Sequence, residues 1–148
     1  MEHKICGWVK LNDLQYLDYH NNEWGKPLHN DNALFELFSL ETQSSGLSWL
    51  TVLKKRDGYR KAFKNFSLET VASYTQEDIN RIFESGLIIK SRPKIEAIIN
   101  NAKLFLQIKK EFGSLDNYFW SRINHKTIVN DVVDYKLACT TSEISDEL

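Results

Sequence analysis

The residues best suited to chemistry lie near the start of the chain. Between Cys6 and Gly25 the sequence contains a thiol, the imidazole of His20 and four aromatic side chains, namely Trp8, Tyr16, Tyr19 and Trp24. Flat rings bind planar and cationic ligands through their faces. Thiol and imidazole groups are ligand types that zinc prefers. The segment therefore predicts a pocket lined by aromatic rings, with a candidate metal-ligand pair at its base.

A second candidate group spans residues 40–49 and contains Glu41 and Trp49. Asn30 can cap a helix in which four residues recur at three- or four-residue spacing: Leu34, Leu37, Phe38 and Glu41. This stripe predicts that Glu41 faces inward, where a carboxylate needs a partner, a proton or a cavity. Two interpretations stay open for Glu41. It turns out to water or a lysine, or it accepts hydrogen bonds from a flat nitrogenous ligand.

Trp49 and the metal-ligand pair also have plain structural explanations. Trp49 follows a helix stop at Gly46, so its ring either covers a ligand or fills the core at the start of the next helix. A lone cysteine usually behaves as a small hydrophobic residue. Zinc usually takes four ligands, and the remaining candidates have no recognisable spacing to Cys6 or His20: His3, His29, His125 and Cys139. The residues alone therefore support a zinc site only weakly.

Composition restricts the class of protein. Hydrophobic residues make up 42% of the 148 residues and charged residues 26%, which is typical of a folded globular domain. No apolar run approaches the length of a membrane span, and no signal-peptide pattern is evident. Two distant cysteines in such a chain favour a cytoplasmic protein with reduced thiols. A net charge of −1 argues against a general nucleic-acid coat, while a local basic face remains compatible with it.

The periodicity predicts one all-α domain over residues 1–148. Helix starts are indicated at Asn30, Ser48, Thr75, Ser91 and Ser114, and helix stops at Gly46, Gly86 and about Phe112. The helix that begins at Ser48 is expected to continue to about Phe63, with the lysines and arginines between residues 54 and 64 on its solvated side. Only residues 127–129 and 131–133 read as short strand-like segments.

The segment 140–148 carries cap residues followed by acidic residues, a helix-start signal. A helix of one turn is not stable alone. We expect either a frayed tail or a chain whose parent protein continues, and the second interpretation is favoured.

Several motifs together resemble the bacterial DNA-3-methyladenine glycosylase I family. They are Cys-Gly-Trp at 6–8, Tyr16, Tyr-His at 19–20, Glu-Trp-Gly at 23–25, Leu-Glu at 40–41, Gly-Leu-Ser-Trp at 46–49, Thr-Val-Leu-Lys-Lys-Arg at 51–56, Ser-Gly-Leu-Ile-Ile at 85–89, the segment 94–102 and Trp120. The resemblance covers nearly the whole chain, and the combination is specific.

This resemblance implies an all-helical domain of the helix-hairpin-helix glycosylase superfamily, acting in base excision repair. Such an enzyme flips 3-methyladenine out of alkylated double-stranded DNA and hydrolyses its N-glycosidic bond, which releases the free base. By correspondence, Glu41 is the catalytic carboxylate that recognises the base, Tyr19 hydrogen-bonds it and Trp49 stacks on it. The remaining aromatic wall is Tyr16, Trp8 and Trp24, and Cys6 and His20 are two of four zinc ligands.

The family continues beyond the point where this chain stops, with the hairpin that grips the DNA backbone and the other two zinc ligands. Structural zinc is therefore expected to be weak or absent in this chain. The alternative to a glycosylase is a non-catalytic module that binds a base or damaged DNA without cutting the glycosidic bond.

Overall fold

The computed structural model describes residues 5–130 and 135–146. Within those ranges all regular structure is helical, which confirms the all-α prediction. The helices are α1 (Leu14–Asn22), α2 (Asp31–Gln43), α3 (Trp49–Leu53), α4 (Arg56–Ala62), α5 (Leu68–Ala72), α6 (Gln76–Glu84), α7 (Arg92–Phe112), α8 (Leu115–Ser121) and α9 (Glu143–Asp146), with 3₁₀ turns at Lys64–Phe66 and Tyr135–Leu137. None of the described helices is long and apolar enough to cross a membrane.

The chain forms two compact units. The terminal unit comprises the residues up to Pro27 together with those from Phe119 onward, and the central unit comprises Leu28–Tyr118. In the central unit α7 packs against α2, α5 and α6. Its core contains fully buried side chains from several helices and turns, including Phe35, Leu40, Val52, Tyr59, Phe63, Phe66, Leu68, Ile95, Ile98 and Leu115. Burying these large side chains is the main stabilising contribution to the unit.

The predicted helix caps are mostly confirmed. Side-chain oxygens of Asn30 and Ser48 accept the backbone N–H of Ala33 and Thr51, at 3.0 and 3.2 Å. Thr75 forms a full capping box with the residue three positions later. Gly46 and Gly86 have φ of +75° and +69° after α2 and α6, a backbone conformation that glycine adopts without steric cost.

Other predictions about the chain need correction. The stretch from Ser48 to Phe63 forms α3 and α4 rather than one helix, because the chain turns at residues 54–55. The sequence patterns did not predict helices α1 and α5. Residues 127–129 have no regular structure, and 131–133 lie outside the described residues. At the C-terminal end α9 spans one turn, capped by Ser142, whose hydroxyl accepts the N–H of Ser145 at 3.2 Å.

The predicted buried stripe of α2 is wrong. Leu34 and Leu37 are only half-buried, and Phe38 and Glu41 are exposed. The buried side of the helix instead carries Phe35, Glu36, Ser39, Leu40 and Gln43. Apolar spacing failed here because two of these buried residues are polar side chains with partners elsewhere in the fold.

Glu36 illustrates how a charged residue is buried on α2. Its carboxylate accepts hydrogen bonds from Nε of Arg56 at 2.5 Å and from Nε of Arg60 at 3.0 and 3.1 Å. A buried carboxylate is tolerated when it is paired and hydrogen-bonded. Arg56 is therefore not the solvated side chain that the sequence predicted, since its side chain is only 15% exposed.

Gly58 provides a test of the packing of α4. A methyl group at this position would overlap the carbonyl oxygen of Leu87 and lie 2.9 Å from its carbonyl carbon. Helix propensity alone favours alanine over glycine by about 1 kcal/mol, whereas overpacking costs about 1–3 kcal/mol. We expect Gly58→Ala to lower the free energy of unfolding in urea, and Lys61→Ala, at an exposed position on the same helix, to leave it nearly unchanged. Increased stability of Gly58→Ala would contradict this close contact.

Candidate functional site

The terminal unit brings most of the predicted aromatic residues together around Trp8. Its ring centroid lies 5.1 Å from that of Tyr16, 5.4 Å from that of His20 and 5.3 Å from that of Trp24. The tilted and edge-on geometries are those that aromatic rings prefer. Trp24 remains 50% exposed, so one side of this aromatic cluster faces solvent.

Helix α1 places these rings because of its residue spacing. Asp13 caps the helix and accepts the N–H of Tyr16 at 3.1 Å. Residues three and four apart share one helix face, so Tyr16, Tyr19 and His20 lie on the same side. The helix ends at Asn22, and the carbonyl of Tyr19 in its last turn accepts the N–H of Trp24 at 3.0 Å. Tyr16 and Tyr19 are buried, and burial raises the pKa of the Tyr16 phenol, which keeps it a neutral donor.

Cys6 and His20 are adjacent in the terminal unit. The backbone N–H of Cys6 donates to Nε2 of His20 at 3.2 Å, so Nε2 carries the lone pair. The proton then resides on Nδ1, which donates to Oδ1 of Asn21 at 2.9 Å. Metal-binding histidines also donate from one ring nitrogen to an oxygen, but here the Nε2 lone pair accepts the Cys6 amide and would have to release it to bind a metal.

The structure describes no complete metal site around these two residues. Among residues 5–130 and 135–146 there is no group of three His, Cys, Asp or Glu side chains arranged to hold a metal ion. Both cysteines are free thiols, and His3 lies outside the described residues. Cys6 and His20 are thus two residues of the types that zinc prefers, whereas tetrahedral zinc takes four ligands.

Glu41 occupies the last turn of α2 in the central unit. Its side chain is exposed, so the expectation of an inward carboxylate is wrong. Surrounding protein still removes part of its hydration and raises its pKa above the ordinary value. The backbone carbonyl of Glu41 accepts hydrogen bonds from the amide of Ser44 at 3.1 Å and from its hydroxyl at 2.7 Å.

Trp49 begins α3, on the other side of the turn that follows Glu41. Ser48 caps this helix, and the Trp49 side chain is half-buried. The turn depends on Gly46, with its positive φ, and on the amide of Leu47, which donates to the carbonyl of Ser44 at 2.7 Å. The central unit thus connects Glu41 and Trp49 through one short, hydrogen-bonded segment. The chemical roles of all these residues stay predictions.

The sequence did not predict the polar network that joins the segment after α2 to Lys94 and Tyr59. Nζ of Lys94 donates to the carbonyl oxygens of Gln43 and Ser45 at 2.6 and 2.9 Å. The buried side chain of Gln43 donates to the carbonyl of Lys94 at 3.1 Å and accepts from the hydroxyl of Tyr59 at 3.1 Å. Burial raises the pKa of Tyr59 to about 12, so the phenol stays protonated. One feature of the sequence pointed to this network. Lys94 lies in the first turn of a predicted helix, where a positive charge is unfavourable and therefore favours a partner outside the helix.

Comparison with known proteins identifies the family. The sequence model of the methyladenine glycosylase family matches residues 8–148. The DNA-3-methyladenine glycosylase of Haemophilus influenzae is 44% identical over 143 residues, covering 97% of this chain and 77% of that protein.

Solved structures agree with the sequence match. A crystal structure of 3-methyladenine DNA glycosylase I has a TM-score of 0.91 at 37% identity, covering 97% of this chain and 79% of that one. A structure of the Staphylococcus aureus 3-methyladenine DNA glycosylase I, which concerns the structural basis of 3-methyladenine recognition, has a TM-score of 0.87 at 40% identity, covering 90% of this chain and 71% of that one. From the extent and identity of these matches, the chain belongs to the methyladenine glycosylase family.

Proposed function

We propose that this chain is a DNA repair glycosylase that hydrolyses the N-glycosidic bond of 3-methyladenine in alkylated double-stranded DNA. The observation that carries the proposal is the 44% identity to a DNA-3-methyladenine glycosylase over 97% of the chain. The aromatic cluster around Trp8 and the exposed carboxylate of Glu41 supply chemistry that suits this reaction. The reaction belongs to base excision repair, and we propose the cytoplasm as its location.

The substrate explains why aromatic rings and a carboxylate are useful. Methylation at N3 gives adenine a positive charge, which weakens the glycosidic bond and makes the base a good leaving group. An enzyme must flip the nucleotide out of the duplex before it can reach that bond. Electron-rich ring faces attract a cationic base more strongly than a neutral one. We assign this selectivity to Tyr19 and Trp49, with Trp8, Tyr16 and Trp24 as the remaining aromatic residues.

Glu41 is the proposed catalytic carboxylate. In its anionic form it accepts a hydrogen bond from the exocyclic amine of the base and favours the cationic base. As the bond between the sugar C1′ and the base nitrogen breaks, positive charge develops on the sugar, and a nearby anion stabilises it. Water then adds to C1′ and loses a proton, which completes the hydrolysis and frees 3-methyladenine.

Basic side chains of the central unit offer contacts to DNA phosphates. Lys90 and Arg92 both lie over the ring of Phe83, at 4.8 and 4.5 Å from its centroid. Such residues fix the position of a protein on DNA and do not read its sequence. We propose that they contribute to binding of the duplex.

Zinc is the cofactor we propose for the family fold, with the thiolate of Cys6 and Nε2 of His20 as two of its ligands. When bound, the ion has a structural role and ties chain segments together. The reaction steps above depend only on side chains of this chain and on water.

Replacing Glu41 by glutamine tests the catalytic assignment. The change removes the charge and keeps the shape, so we expect base release to fall by about 10²- to 10³-fold, the usual effect of losing one electrostatic contact to a transition state. Free 3-methyladenine released from alkylated duplex DNA is measured by chromatography. Glu96→Gln, an exposed position on α7, should retain wild-type release.

Three outcomes of that assay separate the candidate functions. Unchanged release by Glu41→Gln would overturn the role of the carboxylate. Binding of alkylated DNA by the folded wild-type chain without release would instead identify the non-catalytic module. Release that depends on Glu41 supports the glycosylase.

The pH dependence of release follows from the raised pKa of Glu41. A carboxylate with a raised pKa takes up its proton at a higher pH than an ordinary glutamate does. Because the anion is the active form, release should decline on acidification before ordinary exposed glutamates titrate, and Glu41→Gln should lack this decline. If release by the wild-type chain and by Glu41→Gln declines over the same acidic pH range, the titrating group is not Glu41.

Metal content tests the zinc proposal. Two ligands bind zinc far more weakly than four, so the purified chain should contain well below one zinc ion per molecule by elemental analysis. The small amount that is bound should fall further in Cys6→Ser. A ratio of one zinc per chain would show that other residues, or a second copy of the chain, complete the site.

A further inference from the structure

We propose that Lys94 is a positioning residue for the reaction, because it clamps the end of α2 and so holds the segment that carries Glu41 and Trp49. The effect on catalysis rests on the proposed function, whereas the clamp itself rests on geometry alone. Lys94 itself belongs to α7, and the clamped atoms are main-chain oxygens of the last residue of α2 and of the turn that follows it.

The clamp consists of four hydrogen bonds in a small part of the central unit. The ammonium group of Lys94 donates to the carbonyls of Gln43 and Ser45 at 2.6 and 2.9 Å. The side chain of Gln43 returns a hydrogen bond to the carbonyl of Lys94 at 3.1 Å. Tyr59 then fixes the same amide through its hydroxyl, at 3.1 Å. The two elements therefore hold each other through both main chain and side chain.

Electrostatics explains why a lysine occupies this position. A helix carries partial positive charge at its N-terminus and partial negative charge at its C-terminus. Lys94 lies in the first turn of α7, where its charge is unfavourable for its own helix. Its ammonium reaches the C-terminal carbonyls of α2, where the same charge is favourable. The net effect is to bind the start of α7 to the end of α2.

The clamped residues lie between the two predicted functional side chains. Gln43 follows Glu41 by two positions, and Ser45 precedes Trp49 by four. Gly46 follows Ser45 with a positive φ, so the segment between Glu41 and Trp49 has a conformationally permissive residue near its centre. Without the clamp, the segment loses two main-chain hydrogen bonds to α7 just before Gly46. Displacement of a catalytic group by about 1 Å costs about 10²-fold in rate.

A direct DNA contact is the competing role for Lys94. An ammonium group has three donors, and two of them are already directed at the carbonyls of Gln43 and Ser45. A phosphate contact would appear in the salt dependence of DNA binding, because each neutralised phosphate adds about one to the slope of log K against log salt. A positioning role leaves that slope unchanged.

The test uses Lys94→Met, which keeps the length of the side chain and removes its donors. The matched control is Lys103→Met, an exposed lysine on the same helix. We expect hydrogen exchange to increase over residues 41–49 in Lys94→Met, with the core of α7 still protected. Unchanged exchange in that segment overturns the clamp. Lys94→Gln is measured in the same way, so that instability of one variant does not decide the result.

The functional consequence is tested by base release and by binding of free 3-methyladenine. Lys94→Met should slow single-turnover release by about 10- to 100-fold while the DNA affinity and its salt slope stay at the wild-type values. Lys94→Arg, which keeps charge and donors, should restore most of the rate. Binding of 3-methyladenine should weaken on Lys94→Met in the wild-type chain and weaken less in the Glu41→Gln chain, where only the contribution of Trp49 is left to lose.

The possible results separate the two proposals. A salt slope reduced by about one overturns the positioning role, and equal effects of Lys94→Met with and without Glu41 overturn the positioning of Glu41. Either result leaves the glycosylase proposal intact. If the wild-type chain neither binds nor releases 3-methyladenine, the glycosylase proposal fails, and hydrogen exchange still decides whether the clamp exists.

Discussion

The pairing of polar residues on the buried side of α2 is the constraint on which the central unit depends. Glu36 is matched by two arginines, and Gln43 by Tyr59 and Lys94. At about 100° per residue these two positions lie within about 20° of each other, whereas Glu41 lies about 140° from Glu36. Rotating α2 to bury Leu34, Leu37 and Phe38 would expose Glu36 and Gln43 and separate them from their partners. It would also bury Glu41 as an unpaired carboxylate, which costs several kcal/mol. Glu41 therefore faces away from the core.

The same constraint gives Glu41 an electrostatic environment suited to its proposed role. Its carboxylate is accessible to a ligand, and surrounding protein still shields it enough to raise its pKa. A partly shielded anion interacts with a cation more strongly than one fully in water. In the terminal unit, the aromatic cluster around Trp8 offers the complementary property, since ring faces attract positive charge without carrying a net charge. Both properties favour a cationic base.

Rigidity of the turn after α2 is the second structural requirement. Gly46 permits the turn, the carbonyl of Ser44 accepts the amide of Leu47, and Ser48 starts α3. A segment this short has few internal contacts and gains order from what holds it. Lys94 supplies two hydrogen bonds to it from α7, which is the longest described helix and places Ile95 and Ile98 in the core. The order of the turn thus derives from the core.

The sequence by itself determined the all-α class, the limits of α2, α6 and α7 and the candidate residues, because caps such as Asn30 and Thr75 and stops such as Gly46 act within a few residues. Short sequence motifs were likewise sufficient to show the resemblance to a glycosylase family. Tertiary structure alone decided which side of α2 is buried, that Arg56 is paired and that Lys94 reaches the end of α2. Those outcomes depend on partners 20 or more positions away, and periodicity does not register a polar residue whose burial is compensated by such a partner.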